Sequence, residues 1–196
     1  MNQLTRRTSY SVANAQQFWL REYTIDDVKV FLRKIDWDDV REVFDGARER
    51  YALRSQSGDH LRKTMRANLL KAREFLSRMS HNARIVHQWA NTELKNLLHG
   101  AADSSPDREH QLRETVQMAA DFRTLSRTRL IKLTVWTKLR ADQWPLSLAP
   151  SIAGLRRLGP NGELDLIRLY EELKTNAATL AMSYGQESHD EVMAGL

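Results

Sequence analysis

The feature that most constrains the fold of this chain is a stretch from residue 59 to about residue 99 in which apolar residues recur every three or four positions. These positions are Leu61, Met65, Leu69, Ala72, Leu76, Met79, Ala83, Val86, Ala90, Leu94 and Leu97. The spacing is that of one face of an α-helix, and no glycine or proline interrupts it. The stretch therefore predicts a helix about 60 Å long, at 1.5 Å per residue. A break at the weak helix formers Ser80, His81 and Asn82 is the alternative.

A second long helix is predicted over about residues 106–141. Ser105 followed by Pro106 is typical of a helix start, because serine can accept a hydrogen bond from an unpaired N–H and proline is tolerated in the first position. The short loop between the two helices predicts an antiparallel hairpin. Near its end the second helix has apolar residues on more than one side, Ile131 and Val135 among them, so we expect other helices to cover both sides.

The rest of the chain predicts shorter helices packed on this hairpin. Residues 11–54 hold three of them: one over 11–23, one capped by Thr24, and one capped by Asp36 that runs to about residue 51. Residues 142–162 form a connector, in which Ser151 caps a short helix. A C-terminal helix covers 163–184, and 185–196 is a tail that is either frayed or helical from Ser188. Because strand-like alternation is nearly absent, residues 1–196 predict a single all-α domain, an elongated helical bundle.

Missing residue types disfavour several classes of function. The chain has no cysteine, which removes disulfides, thiolate nucleophiles, zinc fingers and iron–sulfur clusters. The six histidines lack the spacing of a metal-binding helix, and no glycine-rich phosphate loop occurs. We therefore expect no metal, no cofactor and no ordinary metabolic enzyme.

The absence of an apolar run of about 18 residues predicts no transmembrane segment. The lack of cysteine fits a cytoplasmic or other reducing compartment. Import into an organelle stays open, because the first residues contain Arg6 and Arg7 and no acid precedes Glu22.

Positive charge is concentrated in the middle of the chain. The whole protein has a net charge of +5, whereas residues 51–160 hold 19 basic and 9 acidic residues and residues 161–196 hold 2 and 7. Such asymmetry favours an anionic partner. The alternative is that the acidic end pairs with the basic block, within one molecule or between copies.

The basic residues form rows on the two long helices. At 100° per residue, five cations of the first helix lie within about 60° of one another, and three of the second repeat the pattern. We call these eight residues the cationic stripe: Arg62, Arg66, Arg73, Arg84, Lys95, Arg123, Arg127 and Lys138.

Rows of arginine suit contacts with phosphate. The sequence therefore predicts a non-enzymatic helical subunit or adaptor that contacts a nucleic-acid backbone or an acidic protein partner. Two alternatives remain open for the stripe, namely a merely solvated face and a bundle protein that serves only in assembly, as a homo-oligomer or with another protein.

One short segment suggests a different function. Arg54 and His60 are separated by five residues, within Arg54-Ser55-Gln56-Ser57-Gly58-Asp59-His60. This spacing resembles the Arg-x4–6-His motif of the HEPN ribonucleases, a family of all-α bundles. The resemblance implies that Arg54 would bind the scissile phosphate and that His60 would act as general base toward the ribose 2′-hydroxyl.

Overall fold

The computed structural model describes residues 22–55, 58–100, 105–138, 151–158 and 164–196, and within them the fold is all-α, as predicted. The helices are α1 (Ile25–Phe31), α2 (Trp37–Val43), α3 (Gly46–Ser55), α4 (Gly58–Leu98), α5 (Pro106–Lys138), α6 (Ile152–Arg156), α7 (Leu166–Ala181) and α8 (Gln186–Gly195). A 3₁₀ turn (Met182–Tyr184) follows α7. The short strands β1 (Arg157–Leu158) and β2 (Leu164–Asp165) pair antiparallel, a small addition to the connector that the sequence analysis did not predict.

The two long helices form the predicted antiparallel hairpin, in which α4 and α5 pack against each other. The helix α4 is continuous from Gly58 to Leu98, so the alternative of a break at residues 80–82 is wrong. Both helices bury their apolar stripe, with Leu69, Leu76 and Phe122 fully inaccessible to solvent. The last predicted residues of the second helix, 139–141, lie outside the described residues.

The shorter N-terminal and C-terminal helices pack on the hairpin. The helix α7 packs on α5, and α8 packs on α7 and on α1. At the centre, the ring of Tyr170 lies 5.1 Å from that of Phe122 and 5.9 Å from that of Trp37, between centroids. Aromatic contacts of this kind add to the burial energy and join α2, α5 and α7 in one core.

The N-terminal helices are shorter than predicted. The N-caps of Thr24 and Asp36 are confirmed, and Thr24 forms a capping box with Asp27. However, α1 ends at Phe31, and residues 32–36 form a non-helical connector, which we call the α1–α2 connector. The helix predicted to run from Asp36 to residue 51 is two helices, since the chain leaves the helix after Val43 and begins α3 at Gly46.

Of the helix predicted over 11–23, residues 11–21 lie outside the described part, and residues 22 and 23 are not helical. Tyr23 is instead packed in the core.

The C-terminal region is more ordered than predicted. The helix expected over 163–184 begins at Leu166, where the Asp165 side chain accepts hydrogen bonds from two backbone N–H groups. The expected tail is the helix α8, which buries Val192 and is followed by the buried Leu196. Burial of these two side chains explains why the segment is helical from Gln186 rather than frayed.

The prediction that helices cover both sides of α5 near its end is wrong. Ile131 and Val135, one turn apart, are 60% and 55% exposed. Leu133, on the opposite side of the helix, is fully buried. Only one side of this part of α5 therefore packs against the described residues.

The side chain of Asn82, in the middle of α4, is fully buried and lies at the centre of a hydrogen-bond network. Its Oδ1 accepts a hydrogen bond from the Arg33 N–H (2.8 Å), and its Nδ2 donates to the Arg33 carbonyl (2.9 Å) and to Tyr170 Oη (3.0 Å). The Gly195 carbonyl is 3.4 Å from the same nitrogen. One amide thus ties the α1–α2 connector, α7 and the end of α8 to the hairpin, and no polar group of this amide is left unpaired.

Replacing Asn82 by alanine is expected to destabilise the protein by about 3 kcal/mol, because the backbone groups of Arg33 and the buried hydroxyl of Tyr170 lose their partner. Urea unfolding followed by circular dichroism measures the change. The matched control is Asn91→Ala, on the same helix and only partly buried, which should change stability by less than about 0.5 kcal/mol. Equal effects of the two substitutions would contradict the role assigned to Asn82.

Candidate anion-binding surface

Half of the cationic stripe is partly buried beside the core and half is exposed. Arg62 and Arg66 of α4 are partly buried, with each Nε inaccessible to solvent, whereas Arg73 and Lys95 are exposed. On α5, Arg123 is partly buried, and Arg127 and Lys138 are exposed. The partly buried arginines therefore lay their stems along the helical surface, with the charged ends toward solvent.

Most of the stripe is not neutralised within the described part of the chain. Arg62 pairs with Asp59, one turn earlier, at 3.1 Å. No described carboxylate lies within 4 Å of the side-chain nitrogens of Arg66, Arg73, Lys95, Arg123, Arg127 or Lys138.

The acids of the C-terminal region have other partners. Glu191 of α8 pairs with Lys29 of α1 at 2.8 Å, and Asp165 pairs with Arg156 at 2.5 Å. Glu172 pairs one turn away on its own helix, with Arg168. These three acids of the C-terminal region thus pair with Lys29, Arg156 and Arg168, none of which belongs to the stripe.

Next to the stripe, a groove with a volume of about 760 Å³ runs between α4 and the α1–α2 connector. Its lining comprises Arg33, Lys34, Leu70, Lys71, Arg73, Glu74, Ser77 and Arg78. We call it the cationic groove, because five of these side chains are basic and one is acidic, a net charge of +4. Only Arg73 belongs to the predicted stripe. The other four cations were missed, because two come from a non-helical connector and two lie off the row that helical spacing selects.

The groove has a defined shape because the connector is fixed to α4 by hydrogen bonds. Asn82 holds both backbone groups of Arg33, and Arg78 Nη1 donates to the Lys34 carbonyl at 3.1 Å. Arg78 also pairs with Glu74, so the one carboxylate among the described lining residues is already engaged. The remaining four cations that line the groove have no described carboxylate within 4 Å, a charge distribution that suits a polyanion.

One turn further along α4, a second group of basic residues lies where the connector, α4 and α5 meet. It comprises His81, Arg84, His87 and Arg123, and we call it the hairpin cluster. All four side chains are partly buried. Arg84 Nη2 is 3.4 Å from His81 Nδ1, and His81 Nε2 is 3.0 Å from the Phe31 carbonyl oxygen.

The pKa values of the cluster reflect burial and mutual repulsion. Burial lowers the pKa of His87, and the charge of Arg123 lowers it further. Burial is also the largest cause of the lowered pKa of His81, where Arg33 and Arg84 act in the same direction and the hydrogen bond to Phe31 opposes them. Burial and Arg84 lower the pKa of Arg123. The charged groups that shift these three pKa values are therefore all cations.

The residues proposed for ribonuclease chemistry lie apart from both sites. Arg54 is near the end of α3 and His60 is in the first turn of α4, on either side of residues 56–57, and both are exposed. The structure does not test this site, which stays a prediction.

Neither metal sites nor membrane spans are found in the parts that the structure describes. No three His, Asp or Glu side chains come together there as metal ligands. No described helix has both the length and the apolarity to span a bilayer. No protein-family model, curated protein or solved structure matches this chain.

Acidification is expected to destabilise the protein through His81 and His87. Because the pKa of each is lowered in the folded state, the unfolded chain binds more protons between the folded pKa and about 6.5, and stability falls as the pH drops through that window. Urea midpoints at about pH 7.5 and 5.5 measure the loss. The loss of stability should be smaller in His87→Gln. The control is His110→Gln, which replaces an exposed residue of α5. An unchanged pH dependence in His87→Gln would contradict this origin.

Proposed function

We propose that this protein is a helical, non-enzymatic binding module that contacts the phosphate backbone of a nucleic acid through the cationic groove and the adjoining stripe. The observation that carries the proposal is the groove itself. Five basic residues line one channel, the backbone of two of them is held to α4 by hydrogen bonds, and its one described carboxylate is engaged by Arg78. Clustered Lys and Arg supply most of the affinity of backbone-directed nucleic-acid binding, through release of counterions.

The length of the stripe favours an extended polyanion over a compact one. Arg66 and Lys95 lie 29 residues apart on one unbroken helix, which corresponds to about 44 Å at 1.5 Å per residue. That distance exceeds one turn of a DNA duplex, about 34 Å. A helix that carries cations over this length can contact several successive phosphates.

The composition of the groove favours contacts with phosphate over contacts with bases. None of the described residues that line it is aromatic, so it offers no platform for stacking. Apart from Leu70 and Glu74, its side chains are basic or, in the case of Ser77, small and polar. We therefore expect binding with little sequence preference and strong dependence on salt.

Neutralising three cations at the groove is expected to weaken binding to DNA or RNA. The variant Lys34→Gln/Lys71→Gln/Arg73→Gln should lose about two to three units from the slope of log affinity against log salt, since each lost phosphate contact removes about 0.9. Fluorescence anisotropy of a labelled oligonucleotide at about 50 to 200 mM salt measures both the affinity and the slope.

The matched control removes the same net charge from cations that are already paired. Arg41, Arg113 and Arg168 each lie within 4 Å of an acid one turn away. The triple glutamine variant of these residues should bind nearly as the unmodified protein does. The proposal fails if the unmodified protein does not bind at about 50 mM salt, or if the two triple variants lose the same affinity. Tighter binding to poly-glutamate than to an oligonucleotide of equal charge would instead favour an acidic protein partner.

A further inference from the structure

The helix α3 is ten residues long and buries none of its described side chains. A helix of this length is marginally stable in water without tertiary contacts. One contact with α6 comes from Glu49, whose carboxylate accepts hydrogen bonds from Ser151 Oγ (2.8 Å) and from the Ile152 N–H (2.9 Å). Tyr51 and Leu53 of α3 are 72% and 46% exposed. The helix therefore keeps two large apolar side chains uncovered, which a ligand could bury.

These two side chains border a pocket of about 340 Å³ among α2, α3, α4 and α6, which we call the α3 pocket. Its lining also includes four apolar side chains of the core, namely Val43, Leu61, Met65 and Ile152. Small-molecule sites occupy about 300 to 1,000 Å³ and are mostly apolar, with a few polar groups. The α3 pocket thus has the size and the apolar lining to hold one small organic molecule.

The charged residues among the described lining are all acidic. They are Glu42, Asp45 and Glu49, a charge of −3 in a chain whose net charge is +5. Asp45 Oδ1 accepts a hydrogen bond from the Ala47 N–H at 2.8 Å, which is a neutral partner. No described cationic side chain lies within 4 Å of this carboxylate. The charge of the pocket therefore favours a cationic ligand.

The lining favours an organic cation over a metal ion. Hard metal ions need several oxygen ligands, and within the described residues no three His, Asp or Glu side chains come together in that way. An ammonium group, in contrast, can pair with a single carboxylate through a charge-assisted hydrogen bond. An apolar body attached to it would be removed from water by the apolar side chains of the same pocket.

We propose that the α3 pocket binds a small organic amine, whose apolar body contacts Leu53, Leu61 and Met65 and whose ammonium group pairs with Asp45. Burial of the body supplies most of the affinity. The ammonium group supplies a modest preference for a cation, because Asp45 is exposed and an exposed ion pair contributes little. The inference is independent of the proposed function, since the described residues of this pocket and of the cationic groove do not overlap.

Three probes that share one apolar body test the site, namely 4-phenylbutylamine, 4-phenylbutanol and 4-phenylbutyrate. Titrations followed by NMR of the Met65 methyl group measure their affinities. We expect the amine to bind with a dissociation constant of about 1 mM, as is typical of a ligand this small. The neutral alcohol should bind about threefold more weakly, because it lacks the ion pair, and the negatively charged butyrate more weakly still.

Two substitutions separate the roles of charge and apolar contact. Asp45→Asn removes the charge and keeps an oxygen that can accept from the Ala47 N–H, so it should weaken binding of the amine about threefold and leave the alcohol unchanged. Leu53→Ala should weaken all three probes by the same factor, about threefold, because it shortens the apolar wall. The control is Asp38→Asn, an exposed acid of α2 outside the pocket, which should change none of the affinities.

Binding of the amine should also slow amide hydrogen exchange in α3, because a ligand that buries Tyr51 and Leu53 binds only the folded helix. The site is overturned if about 10 mM amine changes neither the Met65 resonance nor the exchange of α3. It is also overturned if the alcohol or the butyrate binds as tightly as the amine, or if Asp45→Asn and Asp38→Asn weaken the amine equally. These measurements contain no nucleic acid, so their outcome is separate from that of the proposed function.

Discussion

The buried amide of Asn82 is the interaction on which the arrangement of this protein most depends. A single side chain satisfies both backbone groups of Arg33, the hydroxyl of Tyr170 and, more distantly, a carbonyl near the end of α8. Burial raises the pKa of Tyr170 well above its usual value, so the phenol remains a neutral hydrogen-bonding partner. Because such a network is favourable only when every member is paired, it selects one position for the connector and thereby the shape of the cationic groove.

The fold gives many acids partners outside the groove and the stripe, so the basic surface is not neutralised by them. Acids begin α1 and α2, where they cap the helices and interact favourably with the helix dipole. Other acids pair one turn away on their own helix or, in α8, with Lys29 of α1. Local partners of this kind contribute little to stability. They do, however, pair these carboxylates with nearby cations, so the groove and most of the stripe keep their positive charge.

The sequence predicted the parts of the fold that depend on local periodicity and capping. The unbroken stripe of α4, the start of α5 at Pro106 and the caps at Thr24 and Asp36 all follow from neighbours within a few residues. The burial of Val192, which makes α8 a packed helix, depends on contacts made across the molecule and was missed.

The candidate site likewise has residues that the sequence predicted and residues that it missed. Helical projection placed Arg73, Arg84 and Arg123 on rows, but it could not show that Arg33 and Lys34 join them, because a non-helical connector brings those residues to α4. Nor could it reveal the part played by Asn82. Asparagine is a weak helix former, and its value here comes from partners 49 to 113 residues away in the chain. Helix propensity describes a residue in isolation, whereas the contribution of Asn82 depends on its tertiary contacts.

The contact between α8 and the α1–α2 connector has a thermodynamic consequence. Gly195 lies so close to Leu32 that an added Cβ would come within 3.0 Å of its Cδ1, and the Gly195 carbonyl approaches the same amide that holds Arg33. Local opening of the last helix therefore loosens the segment that carries two of the groove's cations. By reciprocity, a ligand that binds only the intact groove must suppress that opening by the same factor, so amide hydrogen exchange in α8 should slow on binding, although no residue of α8 lines the groove.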